Sequence, residues 1–259
     1  GPRDLAQRSF QIKREALAGR RLHVVAPSVW LADQARQSHL LGNAASIRVI
    51  PYGLDTVQFS PTEKALARQQ LGLPQDRFVI GFGATSLTQH RKGMTPLLAA
   101  LAQLERKSDI VCVAFGGGGL PWSGELPEIH SVGFLRDPGK LALVYSAADV
   151  FALPSLEDNL PQTGLEALAC GTPVVGFATG GIPDFVHPGE TGLLARRGDA
   201  GDLAAQIQRL RDRADERVAM GSRGRRLVLE RFSSEREASQ YIALYGELRA
   251  ERAARPTAA

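Results

Sequence analysis

Short apolar runs alternate with segments of helical spacing along most of the chain after about residue 75. The runs are rich in β-branched and aromatic residues and are bounded by glycine or proline, which is typical of buried strands. This order favours an α/β fold in which helices flank a parallel sheet. The predicted strands are 78–82, 110–115, 130–134, 150–153, 173–177 and 192–194. The predicted helices are 94–107, 139–148, 161–169, 200–211, 215–230 and 233–248.

A different segment precedes this alternation. It contains a predicted strand at 22–26, a helix at 29–38 that Ser28 caps, and a strand at 47–50. Proline and glycine then break the pattern, which predicts a boundary near residue 55. We expect segment 1–55 to dock on the rest of the chain or on a missing domain, because it is too short to form its own core. Residues 56–248 form the main domain, and 249–259 are expected to be disordered.

Composition and charge narrow the class of protein. The chain is 44% apolar and 22% charged, as in soluble globular proteins, and it has no run of about 18 apolar residues that would predict a membrane span. The net charge of +4 comes largely from arginines interleaved with acids, so nucleic-acid binding is not expected, whereas peripheral membrane association stays open. Cys112 and Cys170 are expected to be buried thiols, and no metal-ligand spacing is present.

Candidate chemistry follows the first main strand, where a parallel sheet binds its ligands. Ser86, Arg91 and Lys92 lie in the loop 83–93, which leads into a helix. Cations and free amides at a helix start suit a phosphate, although an ordinary basic turn would look the same. After the next strand, four glycines at 116–119 permit close approach of a ligand at Gly117, or form a plain flexible turn.

A third feature follows the strand at 150–153. Asp158 lies on the exit loop, and Glu166 lies eight residues later in the next helix. Amides at the start of that helix suit a diphosphate, and the two oxygens of Glu166 suit a pair of vicinal hydroxyls. Judged by charge alone, Asp158 as a helix cap and Glu166 as a surface residue would be the better interpretation.

The motifs of this third feature resemble a known family. The runs PSLEDNLP (154–161), EALACGTPVV (166–175) and GGIPD (180–184) are similar to those of the retaining family-4 glycosyltransferases of GT-B fold. That signature is Glu-x7-Glu, then a Cys-Gly-Thr-Pro-Val-Val strand entry and a Gly-Gly turn. VIPYGLD (49–55) resembles the interdomain connection of the family. The resemblance implies the C-terminal, Rossmann-like, nucleotide-sugar-binding half of a GT-B fold.

The resemblance also implies roles for individual residues. Lys92 would contact the donor diphosphate, Glu166 the ribose hydroxyls and Asp158 the transferred sugar, so Lys92 and Asp158 are the catalytic candidates. Two departures from the family pattern are present. Asp158 replaces the first glutamate of the signature, with Glu157 beside it as a possible substitute. Arg91 is the nearest candidate for an arginine that the family usually carries at 83–88. The remaining implied donor-site residues are Ser86, Gly117, Phe134 and Leu135 beside the base, Asn159, Leu160 and Thr163.

The implied activity is retaining, metal-independent transfer of a hexose from UDP-sugar or GDP-sugar to a glycan or lipid-linked acceptor, with no cofactor. The acceptor site would lie on a missing N-terminal domain, of which segment 1–55 would supply only the closing elements and the interdomain connection. This chain alone is therefore expected to bind donor with little or no transfer. We expect a cytoplasmic setting, open to the inner face of the membrane, in cell-envelope or exopolysaccharide assembly. A nucleotide-sugar epimerase of GT-B type, or a non-catalytic nucleotide-sugar-binding module, stays an alternative that product analysis would distinguish.

Overall fold

The computed structural model describes residues 4–119 and 122–254. The strands are β1 (His23–Ala26), β2 (Ser46–Val49), β3 (Phe78–Ser86), β4 (Ile110–Gly117), β5 (Glu128–Gly133), β6 (Val150–Leu153), β7 (Val174–Phe177) and β8 (Gly192–Ala195). The α-helices are α1 (Leu5–Leu17), α2 (Val29–Gln37), α3 (Lys64–Leu71), α4 (Met94–Gln103), α5 (Pro138–Ala147), α6 (Gln162–Ala169), α7 (Ala200–Asp212), α8 (Ala214–Arg231) and α9 (Ser234–Ala253).

Six of these strands form the main sheet, in the order β5-β4-β3-β6-β7-β8, and every neighbouring pair is parallel. The α/β fold with a helix-flanked parallel sheet is therefore confirmed. The chain runs from β3 through β4 to β5 at one edge, then returns beside β3 and continues from β6 to β8 at the other. This reversal opens a crevice at the carboxyl ends of β3 and β6, which is where open α/β sheets bind ligands.

Alternate residues of each strand pack on opposite faces of this sheet. Ile80 and Phe82 of β3 lie among α4 and α7, whereas Val79 lies on the face covered by α3, α5, α6 and α8. Both strand faces are apolar because both are buried, which explains the near-continuous apolar runs in the sequence. Helix pairs cover the two faces, with α4 packed on α7, α3 on α5 and α6 on α8.

The first segment forms a small parallel sheet of its own. β1 pairs with β2, and α2 packs beside both strands. The predicted strands and helix here are confirmed, whereas α1 was not predicted and has no fully buried residue. The connection to the main domain is fixed at the junction of α8 and α9, because the Leu54 amide donates to the Phe232 carbonyl at 2.8 Å and the Ser234 amide donates to the Leu54 carbonyl at 3.1 Å.

Several predicted boundaries differ from the structure. β3 continues to Ser86 through the start of the predicted loop, because Ser86 still pairs with Gly117 of β4 after a bulge. α4 ends at Gln103, and Leu104 is extended. α9 continues to Ala253, so residues 249–253 belong to a helix rather than to the predicted disordered tail. Residues 1–3 of the predicted first segment and 255–259 of the tail lie outside the described residues. None of the described helices combines the length and apolar character needed to cross a membrane.

Candidate functional site

The loops after β3 and β6 meet at the crevice where the strand order reverses. Gly93 ends the first loop with φ 69°, and a Cβ on it would lie 1.8 Å from the Pro154 carbonyl oxygen of the second. The Leu156 amide donates to the Arg91 carbonyl at 2.8 Å. Glycine is therefore required at position 93 both by the left-handed backbone and by the close approach of the two loops. This approach brings the cations of one loop to the carboxylate of the other.

Lys92 and Asp158 form an ion pair in this crevice. Lys92 Nζ donates to Asp158 Oδ2 at 2.6 Å, and both side chains are mostly covered, at 20% and 12% exposure. Arg91 Nη1 lies 3.6 Å from the same oxygen, and the Ser155 hydroxyl donates to it at 3.3 Å. Two cations thus face one carboxylate, which leaves a local excess of positive charge. Arg91 is half exposed and the Lys92 side chain is held in one direction by its hydrogen bond, so both cations could contact an anion in the crevice.

Helix α6 begins beside this ion pair without a side-chain cap. Its N-cap residue is Pro161, so Asp158 is not the helix cap that its charge alone suggested. The positive end of the helix dipole and the first backbone amides of α6 are therefore available to an anion. Leu160 is buried beneath the loop, and Thr163 lies partly covered in the first turn. An uncapped helix start with cations beside it can bind an anion through its backbone amides.

Glu166 lies in the second turn of α6 and is not a surface residue. Its Oε2 accepts a hydrogen bond from the Tyr145 hydroxyl at 2.6 Å. Burial raises the pKa of Glu166 above its ordinary value, and the hydrogen bond from Tyr145 acts in the opposite direction. No hydrogen bond of Oε1 occurs within the described part of the chain, so this oxygen is available to a polar ligand.

The remaining predicted residues lie at the same end of the sheet but not in one cluster. Phe134 follows the end of β5 and is 51% exposed, with the Arg136 guanidinium 5.9 Å from its ring centroid. Leu135 packs partly against the core. Ser86 and Gly117 are register partners, and the Ser86 hydroxyl lies 3.0 Å from that of Thr88. These residues line the β3–β5 side of the crevice, whereas Arg91, Lys92 and Asp158 are in direct contact.

The site loop also contacts the first segment, which the sequence did not predict. The Ser28 hydroxyl donates to Asn159 Oδ1 at 2.7 Å, and Ser28 is fully buried. Asp184 accepts from the Val29 amide at 2.7 Å. Burial raises the pKa of Asp184, and this hydrogen bond opposes the rise. The N-terminus of α2 is thus held by one residue of the loop after β6 and one residue of the segment after β7. Ser28 was visible as a helix cap, which the structure confirms, but a partner 131 residues away leaves no local signal.

The glycine pair at 180 and 181 closes the crevice from the β7 side. Gly180 has φ 55°, and a Cβ on it would lie 1.8 Å from the Asp158 carbonyl oxygen. The Gly181 amide donates to that oxygen at 3.1 Å. The turn therefore lies directly on the backbone of the Asp158 loop, and any side chain at position 180 would displace the carboxylate.

Several cavities in the described part of the chain lie away from this crevice, and two of them are lined by residues of interest. One of about 480 Å³, lined by Lys64, Asp149 and Arg225, lies at the amino ends of β6 and β7. Another of about 450 Å³ lies between the first segment and the α8–α9 junction, beside Asp184. Across residues 4–119 and 122–254, no group of three or more histidines, cysteines or acids is arranged to hold a metal ion.

Comparison with known proteins places the chain among glycosyl transferases. The family description "Glycosyl transferases group 1" matches residues 77–213, which is more than half of the 259-residue chain. The D-inositol 3-phosphate glycosyltransferase of Corynebacterium jeikeium (strain K411) is 37% identical over 73% of this chain and 50% of its own length. The chain thus spans about half the length of the curated relatives it matches.

Solved structures show the same fold. The sucrose-phosphate synthase of Thermosynechococcus elongatus superposes with a TM-score of 0.79 and 31% identity, over 95% of this chain and 62% of that one. HepE of Anabaena, solved in complex with UDP-glucose, superposes with a TM-score of 0.78 over 95% of this chain and 70% of its own. At 22% identity, the second comparison supports the fold alone.

Proposed function

Since the chain belongs to the group 1 glycosyl transferases, we propose that it is the donor-binding, C-terminal half of a GT-B enzyme. In this proposal the enzyme transfers a hexose from a UDP-sugar or GDP-sugar to a glycan or lipid-linked acceptor. The Lys92–Asp158 pair at the strand-order reversal is the observation that supports it best. It joins a cation suited to the diphosphate and a carboxylate suited to the sugar within 2.6 Å, at the open end of a helix.

The proposed chemistry requires stabilisation of the leaving diphosphate. As the bond between sugar and phosphate breaks, negative charge grows on the phosphate oxygens and positive charge grows on the sugar ring. Lys92, Arg91 and the first amides of α6 would meet the negative charge without rearrangement, which is the condition for effective electrostatic catalysis. We therefore propose that the protein supplies this stabilisation from its own cations, without a metal ion.

Asp158 would act on the sugar side of the same bond. Its Oδ2 is held by Lys92 and Ser155, and its Oδ1 accepts from the Asn159 amide at 3.1 Å. These contacts compensate for a side chain one methylene shorter than glutamate by fixing its direction. Retention of configuration at the sugar is proposed from the resemblance of the motifs at 154–184 to retaining enzymes.

The acceptor is proposed to bind outside this chain. The relatives are about twice as long as the part that matches, and the first segment forms only a two-stranded sheet. We propose that β1 and β2 complete an N-terminal domain that binds the acceptor, and that this chain alone binds donor with little transfer. A cytoplasmic reaction at the inner face of a membrane, in cell-envelope assembly, fits a lipid-linked acceptor and the net charge of +4.

Calorimetric titration of the chain with UDP, GDP, ADP and their hexose conjugates tests this proposal. We expect UDP or GDP binding that weakens about 10- to 100-fold in Lys92→Ala and in Glu166→Ala, as for the loss of a charged hydrogen bond. In Lys92→Ala the remaining Asp158 charge would also repel the phosphate.

Lys107→Ala is the matched control, because Lys107 precedes β4 at the opposite end of the sheet. Equal affinity of the control, Lys92→Ala and Glu166→Ala variants would refute the site. Release of a free epimer and nucleotide by the full-length protein without an acceptor would favour the epimerase instead.

A further inference from the structure

Tyr145 lies directly behind Glu166, in the core of the main domain. It is fully buried on α5, and its ring packs against Phe59, Phe115 and Phe151 at centroid distances of 6.3, 5.7 and 5.2 Å. The Thr172 hydroxyl donates to its backbone carbonyl at 2.7 Å. Neither the ring nor the backbone of Tyr145 can shift without disturbing the core, so its hydroxyl occupies a fixed point.

The direction of the hydrogen bond between Tyr145 and Glu166 follows from their chemistry. An ionised carboxylate only accepts, so the tyrosine hydroxyl donates to Oε2. Burial raises the pKa of Tyr145 well above its ordinary value, and the neighbouring Glu166 charge raises it further, so the hydroxyl keeps its proton. Charge-assisted bonds of this length are among the stronger ones in proteins. Oε2 is therefore pinned, while Oε1 and one lone pair of Oε2 stay available to a ligand.

We propose that Tyr145 is the positioning residue that orients the Glu166 carboxylate for the ribose hydroxyls of a nucleoside diphosphate. This inference rests on the proposed function of the site. Tyr145 itself would touch no ligand, because it is fully buried. Its effect is to limit the rotation of a carboxylate that would otherwise choose among several rotamers, which lowers the entropy lost when the ribose binds.

The same contact predicts a pH dependence. Burial raises the Glu166 pKa, and the Tyr145 hydrogen bond is the contribution that lowers it. Glu166 also interacts with the Cys170 thiol. Burial raises the pKa of that thiol to about 12, and the charge of Arg225 opposes the rise. Removal of the Tyr145 hydroxyl therefore raises the Glu166 pKa further. Nucleotide binding needs the ionised Glu166 carboxylate. As the pH falls, binding to the Tyr145→Phe variant would therefore begin to weaken at a higher pH than binding to the wild type.

The decisive experiment compares UDP with 2′-deoxy-UDP by calorimetry between pH 5 and 8, or GDP with 2′-deoxy-GDP if GDP binds more tightly. The wild type is expected to prefer the ribose form, and Glu166→Gln is expected to lose most of that preference. In Tyr145→Phe we expect the ribose form to bind about 10-fold more weakly and the deoxy form to change little, so the preference shrinks. The acid limb of the affinity profile is expected to move to higher pH.

A control variant separates this effect from the general loss of a tyrosine hydroxyl. Tyr245→Phe makes the same chemical change at an exposed position of α9 and is expected to keep the preference for ribose. Equal weakening of ribose and deoxy forms by Tyr145→Phe, or an equal loss of the preference in Tyr245→Phe, would overturn the positioning role. Absence of any nucleotide binding by the wild type, or no effect of Glu166→Gln, would overturn the proposed function and this inference together.

Discussion

Asp149 shows at the scale of one residue how this chain tolerates a buried charge. Its carboxylate accepts from Lys64 Nζ at 2.8 Å, Arg68 Nη2 at 2.7 Å and the Val79 amide at 2.9 Å. Burial alone would raise its pKa, but the Lys64 charge, these hydrogen bonds and Arg68 outweigh it, so the pKa of Asp149 is lowered. The carboxylate therefore joins α3, β3 and the start of β6 in its ionised form.

Substitution of Asp149 is expected to show how much stability is lost when the buried Arg68 guanidinium has no counter-ion. Asp149→Asn should lower the free energy of unfolding by about 3–5 kcal/mol near neutral pH, because it leaves a buried guanidinium without its counter-ion. The folded pKa of Asp149 lies below the unfolded one, so its stabilisation is complete above about pH 4 and is lost as the pH falls through the folded value. Urea denaturation of both proteins at pH 7 and below pH 4 measures this.

The exposed Asp33→Asn is the matched control, since Asp33 forms an ion pair with Arg36 on the surface of α2. It is expected to change stability by less than about 1 kcal/mol. A difference between Asp149→Asn and the wild type that did not shrink toward low pH would contradict the ionised carboxylate.

At the scale of elements, the contact between the β3 and β6 loops depends on Gly93. Gly93→Ala is expected to weaken nucleotide binding and to lower the free energy of unfolding by more than about 1–3 kcal/mol, the usual cost of backbone strain alone. The added methyl would lie 1.8 Å from the Pro154 carbonyl oxygen and would force the Lys92 and Asp158 loops apart.

Gly72→Ala isolates the strain from the clash. Gly72 ends α3 with φ 67°, and nothing lies within 4 Å of its added Cβ. We expect this variant to lose about 1 kcal/mol and to keep full nucleotide affinity. Chemical denaturation and calorimetry of both variants check this, and equal behaviour of the two would rule out a role for the close approach.

Element prediction from the sequence succeeded where patterns were local. β6 was predicted with its observed bounds, because a buried apolar run between a turn and a proline is unambiguous. α1 and α3 were missed, although Asp4 and Glu63 cap them and Gly72 ends α3 in the left-handed conformation. Those caps were readable signals. Helix α1 is also amphipathic in its apolar spacing, but it is polar on average and none of its residues is fully buried.

At the scale of the whole molecule, hydrogen bonds join the first segment to the loop after β6 and to the segment after β7. Ser28 bonds Asn159, and Asp184 bonds the α2 N-terminus. We expect Ser28→Ala and Asn159→Ala each to speed amide hydrogen exchange in residues 23–37, because either change breaks a part-buried hydrogen bond and loosens the docked segment.

Ser38→Ala, at the other end of α2, tests whether the effect is specific to this junction. Its hydroxyl accepts a local hydrogen bond from the Leu40 amide, so exchange across the segment should stay unchanged. Faster exchange in Ser28→Ala but not in Asn159→Ala would assign the effect to the lost helix cap rather than to the junction.

The sequence by itself determined the alternation of strands and helices, the loops that follow the strands, and the residues with the right chemistry in those loops. These follow from patterns within about ten residues, since burial and capping are local requirements. The same local patterns do not predict which of these loops lie in contact with each other in the fold.

Only the tertiary structure decided that Lys92 meets Asp158, 66 residues away, because β6 lies beside β3 in the sheet. It likewise placed Tyr145 behind Glu166 and Ser28 against Asn159, contacts that depend on how whole helices pack. A side chain's chemistry is encoded locally. Its partner is chosen by strand order and packing, which no local pattern contains.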